Sequence, residues 1–332
     1  MKKQLYLLAG VAAILASCSK TETVEQAPSR TIDFAASWVG NSVDSKATVS
    51  EVNKGNLDKF YVFAGYKDNM THVFENAEIS KSDGQWTYQP PVRYWAPGES
   101  YKFAAYAPEI AGGAGSVTAD LTSGHLTITD YVASPDIQND LIYAEYAVES
   151  SQINESYAEP VKFNFSHILS MVKVTFKSKF AAGITVKISD FKLYNVASKG
   201  TFNGTAWSGQ SELVAEGAPF TATINDIKNT QIQPGGMGDA SSETPDFAVI
   251  PQNAGTNNVT VSFKVQVLNE AGLQVGADKT LTAKITTDWA QGNRYNYTIV
   301  LEGDDTGLKP IVFGAPEVSG IGDGGTSEIQ AQ

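Results

Sequence analysis

Residues 257–267 read NNVTVSFKVQV, with Val259, Val261, Phe263, Val265 and Val267 at every second position and polar side chains between them. A two-residue period puts successive side chains on opposite faces of an extended chain, so it specifies a half-buried β-strand and is incompatible with an amphipathic helix. The same period recurs in MVKVTFKS (171–178), KTLTAKITTDW (279–289) and NRYNYTIVL (293–301), and more briefly in PVKFNF and HLTIT. In TVKISDFKLYN the apolar phase slips between Ile188 and Phe191, which predicts a bulge near Ser189-Asp190. DKFYVFAGY (58–66) is apolar on both faces and suits the centre of a packed sheet. No run of ten residues has a 3.6 period. Clusters such as NAGTNN, PGGMGD and EIAGGAGS separate the strands at short intervals. The fold class is all-β, a sandwich or barrel.

The first residues stand apart from this pattern. MKKQLYLLAGVAAILASC has two lysines, then an apolar run too short to span a membrane comfortably, then small residues before Cys18. It reads as a secretory signal, and its end, Leu15-Ala16-Ser17-Cys18, resembles a bacterial lipobox. That resemblance implies cleavage between Ser17 and Cys18 and attachment of fatty acid (palmitate-type chains) to the Cys18 thiol, the only cysteine in the 332 residues. Residues 1–17 are thus expected as signal peptide and 18–30 as a lipidated, polar tether. An exported chain with one thiol has no disulfide to rely on, so its stability must come from core burial. The mature length exceeds what one core usually serves, which favours two domains. We expect the break in the polar stretch SSQINESYAEP, with sandwiches over 31–158 and 159–301 and a tail over 302–332.

Chemistry is sparse. The formal net charge is −12, with 36 acidic against 24 basic residues, which leaves no basic patch for nucleic acid. His72, His125 and His167 are far apart and in no metal-ligand spacing, and there is no nucleophile elbow, phosphate loop or dinucleotide fingerprint. No catalytic residue, cofactor or metal is therefore expected. Asp304 and Asp305 read as turn residues, and His167 as a hydrogen-bonded residue at a strand start. Trp38 is in phase with Ile32 and Phe34, and Trp86 shares a strand face with Tyr88, so these indoles read as core or rim.

The ordered series DKFYVFAGY, GQWTYQPPVRYWAPGESYKFAAYAP, QNDLIYAEY, PVKFNFSHILSMVKVTFKS and GNRYNYTIVL, placed after a lipobox, resembles the fimbrillin family, including its Mfa-like branch. The resemblance implies two tandem transthyretin-like β-sandwiches and export as an outer-membrane lipoprotein to the cell surface. It also implies assembly with other fimbrial subunits by donor-strand exchange into a type V pilus that supports adhesion. In that pattern the first strand is a placeholder. Ile32, Phe34 and Trp38 of TIDFAASWV would fill a groove until a trypsin-like protease cuts between Lys46 and Ala47, with Arg30 the rival site. Ile311 and Phe313 in the tail would be the donor strand. The tail departs from the family in having Pro316 and no tryptophan. Two readings therefore stay open for each end: residues 31–39 as a permanent strand, and residues 309–318 as the last strand of the second domain. The alternative function is a surface lipoprotein that stays anchored and binds glycan or host protein without polymerising.

Overall fold

A computed structural model describes residues 30–35, 38–39, 52, 55–67, 69–120, 123–304, 307–308 and 315–321. Its strands are β1 (Trp38–Val39), β2 (Lys59–Tyr66), β3 (Asn69–Ser82), β4 (Gln85–Tyr88), β5 (Tyr101–Ala107), β6 (Ser116–Ala119), β7 (Leu126–Val132), β8 (Ile142–Val148) and β9 (Asn164–His167). They continue as β10 (Ser170–Ser178), β11 (Thr185–Tyr194), β12 (Ala197–Phe202), β13 (Trp207–Leu213), β14 (Phe220–Ala222), β15 (Ile227–Lys228), β16 (Ser241–Glu243) and β17 (Phe247–Val249). A single-turn helix, α1 (Ala254–Asn257), precedes β18 (Thr260–Leu268), β19 (Lys279–Lys284), β20 (Asn293–Leu301), β21 (Gly303–Asp304), β22 (Gly307–Leu308) and β23 (Glu317–Gly320). The fold is a β-sandwich assembly, as the two-residue period requires.

In the N-terminal half, a seven-stranded sheet runs in the order β1-β9-β8-β5-β2-β3-β4. Central β2 is the two-faced strand DKFYVFAGY. Its Phe60, Val62 and Ala64 enter one buried cluster with Ile32, Phe34, Trp95, Phe163 and Phe165. Its Tyr61 and Phe63 point to the other face, into a cluster with Leu126, Ile128, Tyr131 and Phe202. A strand buried on both sides has no polar face to alternate with, which is why its sequence is continuous in apolar residues.

The second cluster is roofed by a four-stranded sheet, β13-β12-β7-β6. Strands β7 and β12 pair directly, with Gly200 opposite Tyr131 and Phe202 opposite Ile128. This ladder takes strands from both sides of residue 158. In the C-terminal half, the sheets β16-β10-β20-β23 and β14-β11-β18-β19 face each other. Between them lie Val174, Phe176, Phe191, Phe263, Tyr297 and Ile299, all buried. Strands β10 and β20 pair in parallel from Met171↔Arg294 to Ser178↔Leu301. The predicted slip appears as a register shift between Ser189 and Lys192 of β11, where Asp190 has φ +51°.

Four of the five indoles are structural: Trp95 and Trp289 are buried, and Trp86 and Trp207 pack at cluster rims. His167 ends β9, with its Nδ1 2.8 Å from Asp140 Oδ2, and both side chains are buried.

Candidate functional site: an apolar groove filled by the first strand

The groove belongs to the N-terminal half. One wall is the alternating stretch after Pro160, whose Val161, Phe163 and Phe165 are 0%, 1% and 2% exposed. The other is the segment 93–95. Its position is set by Arg93, whose Nε donates to the Val73 carbonyl at 2.7 Å and whose main-chain N–H donates to the Tyr88 hydroxyl at 3.1 Å. Burial raises the Tyr88 pKa, so that hydroxyl keeps its proton and stays a fixed partner.

Residues 30–35 lie between these walls. Trp95 N–H donates to the Arg30 carbonyl and Ile32 N–H to the Arg93 carbonyl, both at 2.9 Å. On the other side Ala35 N–H donates to the Val161 carbonyl at 3.0 Å, and Val161 N–H to the Asp33 carbonyl at 2.8 Å. Thr31 bridges Tyr94 in antiparallel sense, whereas Phe34 bridges Val161 in parallel. The chain then continues as β1, with Trp38 opposite Asn164 and Val39 opposite Phe165, again parallel. The segment is thus a mixed insert held by isolated bridges and one short ladder.

Its side chains obey the two-residue rule. Ile32 and Phe34 are buried, Asp33 is exposed, and on the outer face Thr31 Oγ1 donates to Asp33 Oδ2 at 2.8 Å. The Phe34 ring stacks on Phe163 (6.1 Å, 15°) and meets Phe60, Phe74 and Tyr88 edge-on at 5.8, 5.6 and 6.1 Å. Edge and offset geometries are favourable for aromatic rings, and burying two such side chains contributes about 3–6 kcal/mol. Arg30, half-buried, closes the rim with a 2.6 Å ion pair to exposed Glu155.

Of the site residues expected from the sequence, the structure brings Arg30, Ile32 and Phe34 together in this groove and places Trp38 in β1. Ser17, Cys18, Lys46, Ala47, Ile311 and Phe313 lie outside the described residues. Further along the tail, β23 pairs antiparallel with β20 (Asn293↔Gly320 to Asn296↔Glu317), and Ile321 is buried. Sequence reasoning did not connect the groove's walls to its filler. The alternation of Val161, Phe163 and Phe165 was visible, but it does not say which segment those residues face. Nor did it find the Arg93 brace or the Asp140–His167 pair. In that pair Asp140 Oδ2 also accepts the Val52 N–H at 2.9 Å, fastening residue 52 beside the start of β8. Among the described residues no three His, Cys, Asp or Glu side chains cluster as a metal site.

A family model described as fimbrillin-like matches residues 45–315 of the chain, a stretch that starts downstream of the groove-filling segment. Among solved structures, a fimbrial protein from Bacteroides vulgatus is similar at a TM-score of 0.57 and 17% identity, covering 88% of this chain and 99% of that one. A Bacteroides ovatus protein assigned to cell adhesion follows at 0.49 and 16%, covering 88% and 98%. The fimbrial anchor protein Mfa2 from Porphyromonas gingivalis is similar at 0.35 and 13%, covering 86% and 96%. No curated protein matches the chain in sequence. At 17% identity the first of these similarities speaks for a shared fold.

Proposed function

The chain belongs to the fimbrillin-like family, which makes it a fimbrial subunit or adhesin of the cell surface and not an enzyme, and from that premise we propose how it is anchored and assembled. It is exported as a lipoprotein, cleaved between Ser17 and Cys18, and held at the outer membrane by acyl chains on Cys18 and the tether 18–30. Two tandem sandwich domains follow, 31–158 and 159–301, with the first stretch of the second, Val161 to His167, completing the first domain's sheet and core and the β12–β7 ladder joining the two. Residues 31–39 are a placeholder. A trypsin-like protease cuts between Lys46 and Ala47, the segment leaves, and the tail 302–332 of another subunit takes the groove by strand exchange. Ile311 and Phe313 then sit where Ile32 and Phe34 sat.

One observation carries this reading: the segment ahead of the cut, with two buried apolar anchors, fills a groove while joined to it by isolated bridges and one two-residue ladder instead of a continuous one. Such a groove, with unpaired strand edges on both sides, is a template for an incoming strand of alternating side chains. The Ile-x-Phe spacing of the filler (32 and 34) recurs in the tail (311 and 313), so both segments carry the same pair of apolar side chains at the same spacing. Lys46 is favoured over Arg30 on structural grounds. The Arg30 carbonyl is engaged by Trp95 and its guanidinium by Glu155, and a cut there would leave the groove filled.

A second reading has its own support. Residues 317–320 are paired with β20 of the same chain, which suits an anchored surface lipoprotein that binds glycan or host protein without polymerising. N-terminal sequencing of material sheared from cells separates the two. Polymer that begins at Ala47 supports strand exchange, whereas surface protein that begins at Cys18 and runs as a monomer sinks it.

A further inference from the structure

We propose that the cleft between the 108–114 loop and the 136–141 segment is a binding site for a neutral saccharide. It lies where β5 ends and β8 begins, and nothing in the strand-exchange reading uses it. The main chamber has a volume of about 420 Å³, within the range of small-molecule sites. A second chamber of about 250 Å³ adjoins it, with Pro108 and Asn139 lining both.

The walls are preformed. Val132 N–H donates to the Ala114 carbonyl and Ala114 N–H to the Ala111 carbonyl, each at 3.0 Å. Gly115, at φ +132°, lets this loop close on β7, because a Cβ there would lie 3.1 Å from the Thr129 carbonyl oxygen and from Tyr131 Cα. On the opposite wall Ser134 and Ile137 exchange main-chain hydrogen bonds. The Gln138 carboxamide donates to the carbonyls of Ser134 (2.9 Å) and Ala248 (3.1 Å) and accepts the Ala248 N–H (3.0 Å). A site whose frame is already ordered loses little entropy on binding.

The chemistry inside is that of a polyol receptor. Glu109, Asp136 and Asn139 are exposed in the cleft, and neither Asp136 nor Asn139 holds a hydrogen bond to another described residue. Two carboxylates accept from hydroxyl donors, and one carboxamide can both donate and accept, which is what vicinal hydroxyls need. Beside them Pro108, Ile110 and Ile137, all half-buried, supply an apolar floor for the C–H face of a ring. In the smaller chamber the lining includes Asp140, wholly buried, whose Oδ1 has no partner. That acceptor lies just beneath the chamber wall, where its lone pairs favour ligand groups that donate over groups that accept.

Charge narrows the ligand class. No cation lines the main chamber, and Lys59, which lines the smaller one, is already paired with Glu78 at 3.0 Å, so an anionic sugar or a phosphate finds no free positive partner. A lysine-rich peptide would find two wet carboxylates, and exposed ion pairs are worth little. A neutral sugar depends on directional hydrogen bonds and the apolar floor, both of which are present. Single-site affinity in so open a cleft is low, but many copies on one surface would multiply it through effective concentration.

The test uses the purified mature monomer and saturation-transfer NMR with glucose, galactose, mannose, N-acetylglucosamine, lactose and cellobiose. At least one should bind with a Kd of about 10 mM or tighter. Asp136→Ala and Asn139→Ala should each weaken it about tenfold or more, a loss of the size expected for one well-placed hydrogen bond. Asp136→Asn, which keeps the shape, should lose less than Asp136→Ala. Near-UV circular dichroism identical to wild type shows that these exposed changes leave the fold intact. Three results overturn the proposal: no sugar of the set binds, binding is unchanged in both alanine variants, or sialyllactose or a lysine oligomer binds while the neutral sugars do not.

Discussion

Phe34 and Asp140 hold parts of the N-terminal half together for opposite reasons. Phe34 is an apolar knob in an aromatic cage, so Phe34→Ala should destabilise the precursor by about 3–5 kcal/mol in urea unfolding. Asp140 is a buried carboxylate holding His167 Nδ1 and the Val52 N–H together. Asp140→Ala leaves both donors unsatisfied in the core and should cost about 3 kcal/mol by the same measurement. The knob was legible in the sequence, because Ile32-x-Phe34 alternates. The carboxylate was not, since Asp140 and His167 are 27 positions apart and meet only through β8 and β9. Tyrosines add a pH dependence. Burial raises Tyr106 and Tyr297 from 10.0 to about 12. Below pH 10 both folded and unfolded chains hold these protons and the shift is silent. Between pH 10 and about 12 the unfolded chain ionises while the native one resists, so stability should fall across that window. Urea midpoints at pH 9, 10, 11 and 12, read beside tyrosinate absorbance, check it. A flat midpoint would contradict the burial of these hydroxyls.

At the scale of elements, the groove segment is the one that behaves unlike its neighbours. A chain beginning at Ala47 lacks Ile32 and Phe34 and exposes Phe60, Phe74 and Phe163. It should be less stable than the precursor by about 3–6 kcal/mol and should bind a hydrophobic dye. A synthetic peptide of residues 309–318 should restore the lost stability if the tail shares the groove's register. The same peptide with Ile311→Asp and Phe313→Asp should not, because two carboxylates in an apolar groove cost several kcal/mol. Restoration by both peptides would mean that the effect is non-specific. Most elements were readable in advance. The alternation of β18 and β20, the two-faced centre of β2 and the bulge at Asp190 all follow from local side-chain order. The direction of the groove segment was not readable. Its parallel pairing to Val161 and antiparallel pairing to Tyr94 depend on which strands the fold brings to its flanks.

For the whole molecule, two expectations follow. Cys18→Ala should abolish incorporation of a labelled fatty-acid analogue and leave the precursor uncleaved or released; equal label in mutant and wild type would remove the lipid anchor. The β12–β7 ladder and the cluster joining Tyr61, Phe63, Ile128 and Phe202 cross residue 158. Residues 31–158 and 159–332 expressed separately should therefore each lose cooperative unfolding, whereas the full chain melts as one unit. Two independent transitions in calorimetry would show the halves to be autonomous. The sequence by itself determined the strands, their buried faces, the absence of disulfide staples and the apolar knobs at 32 and 34, because each of these is a local pattern of side chains along an extended backbone. Only the tertiary structure decided that β12 leaves its own half to roof the other, that β10 and β20 run parallel, and that Ile32 and Phe34 lie between Trp95 and Val161. Strand order and pairing sense arise from closing long loops between distant segments, and a two-residue period carries no label of its partner.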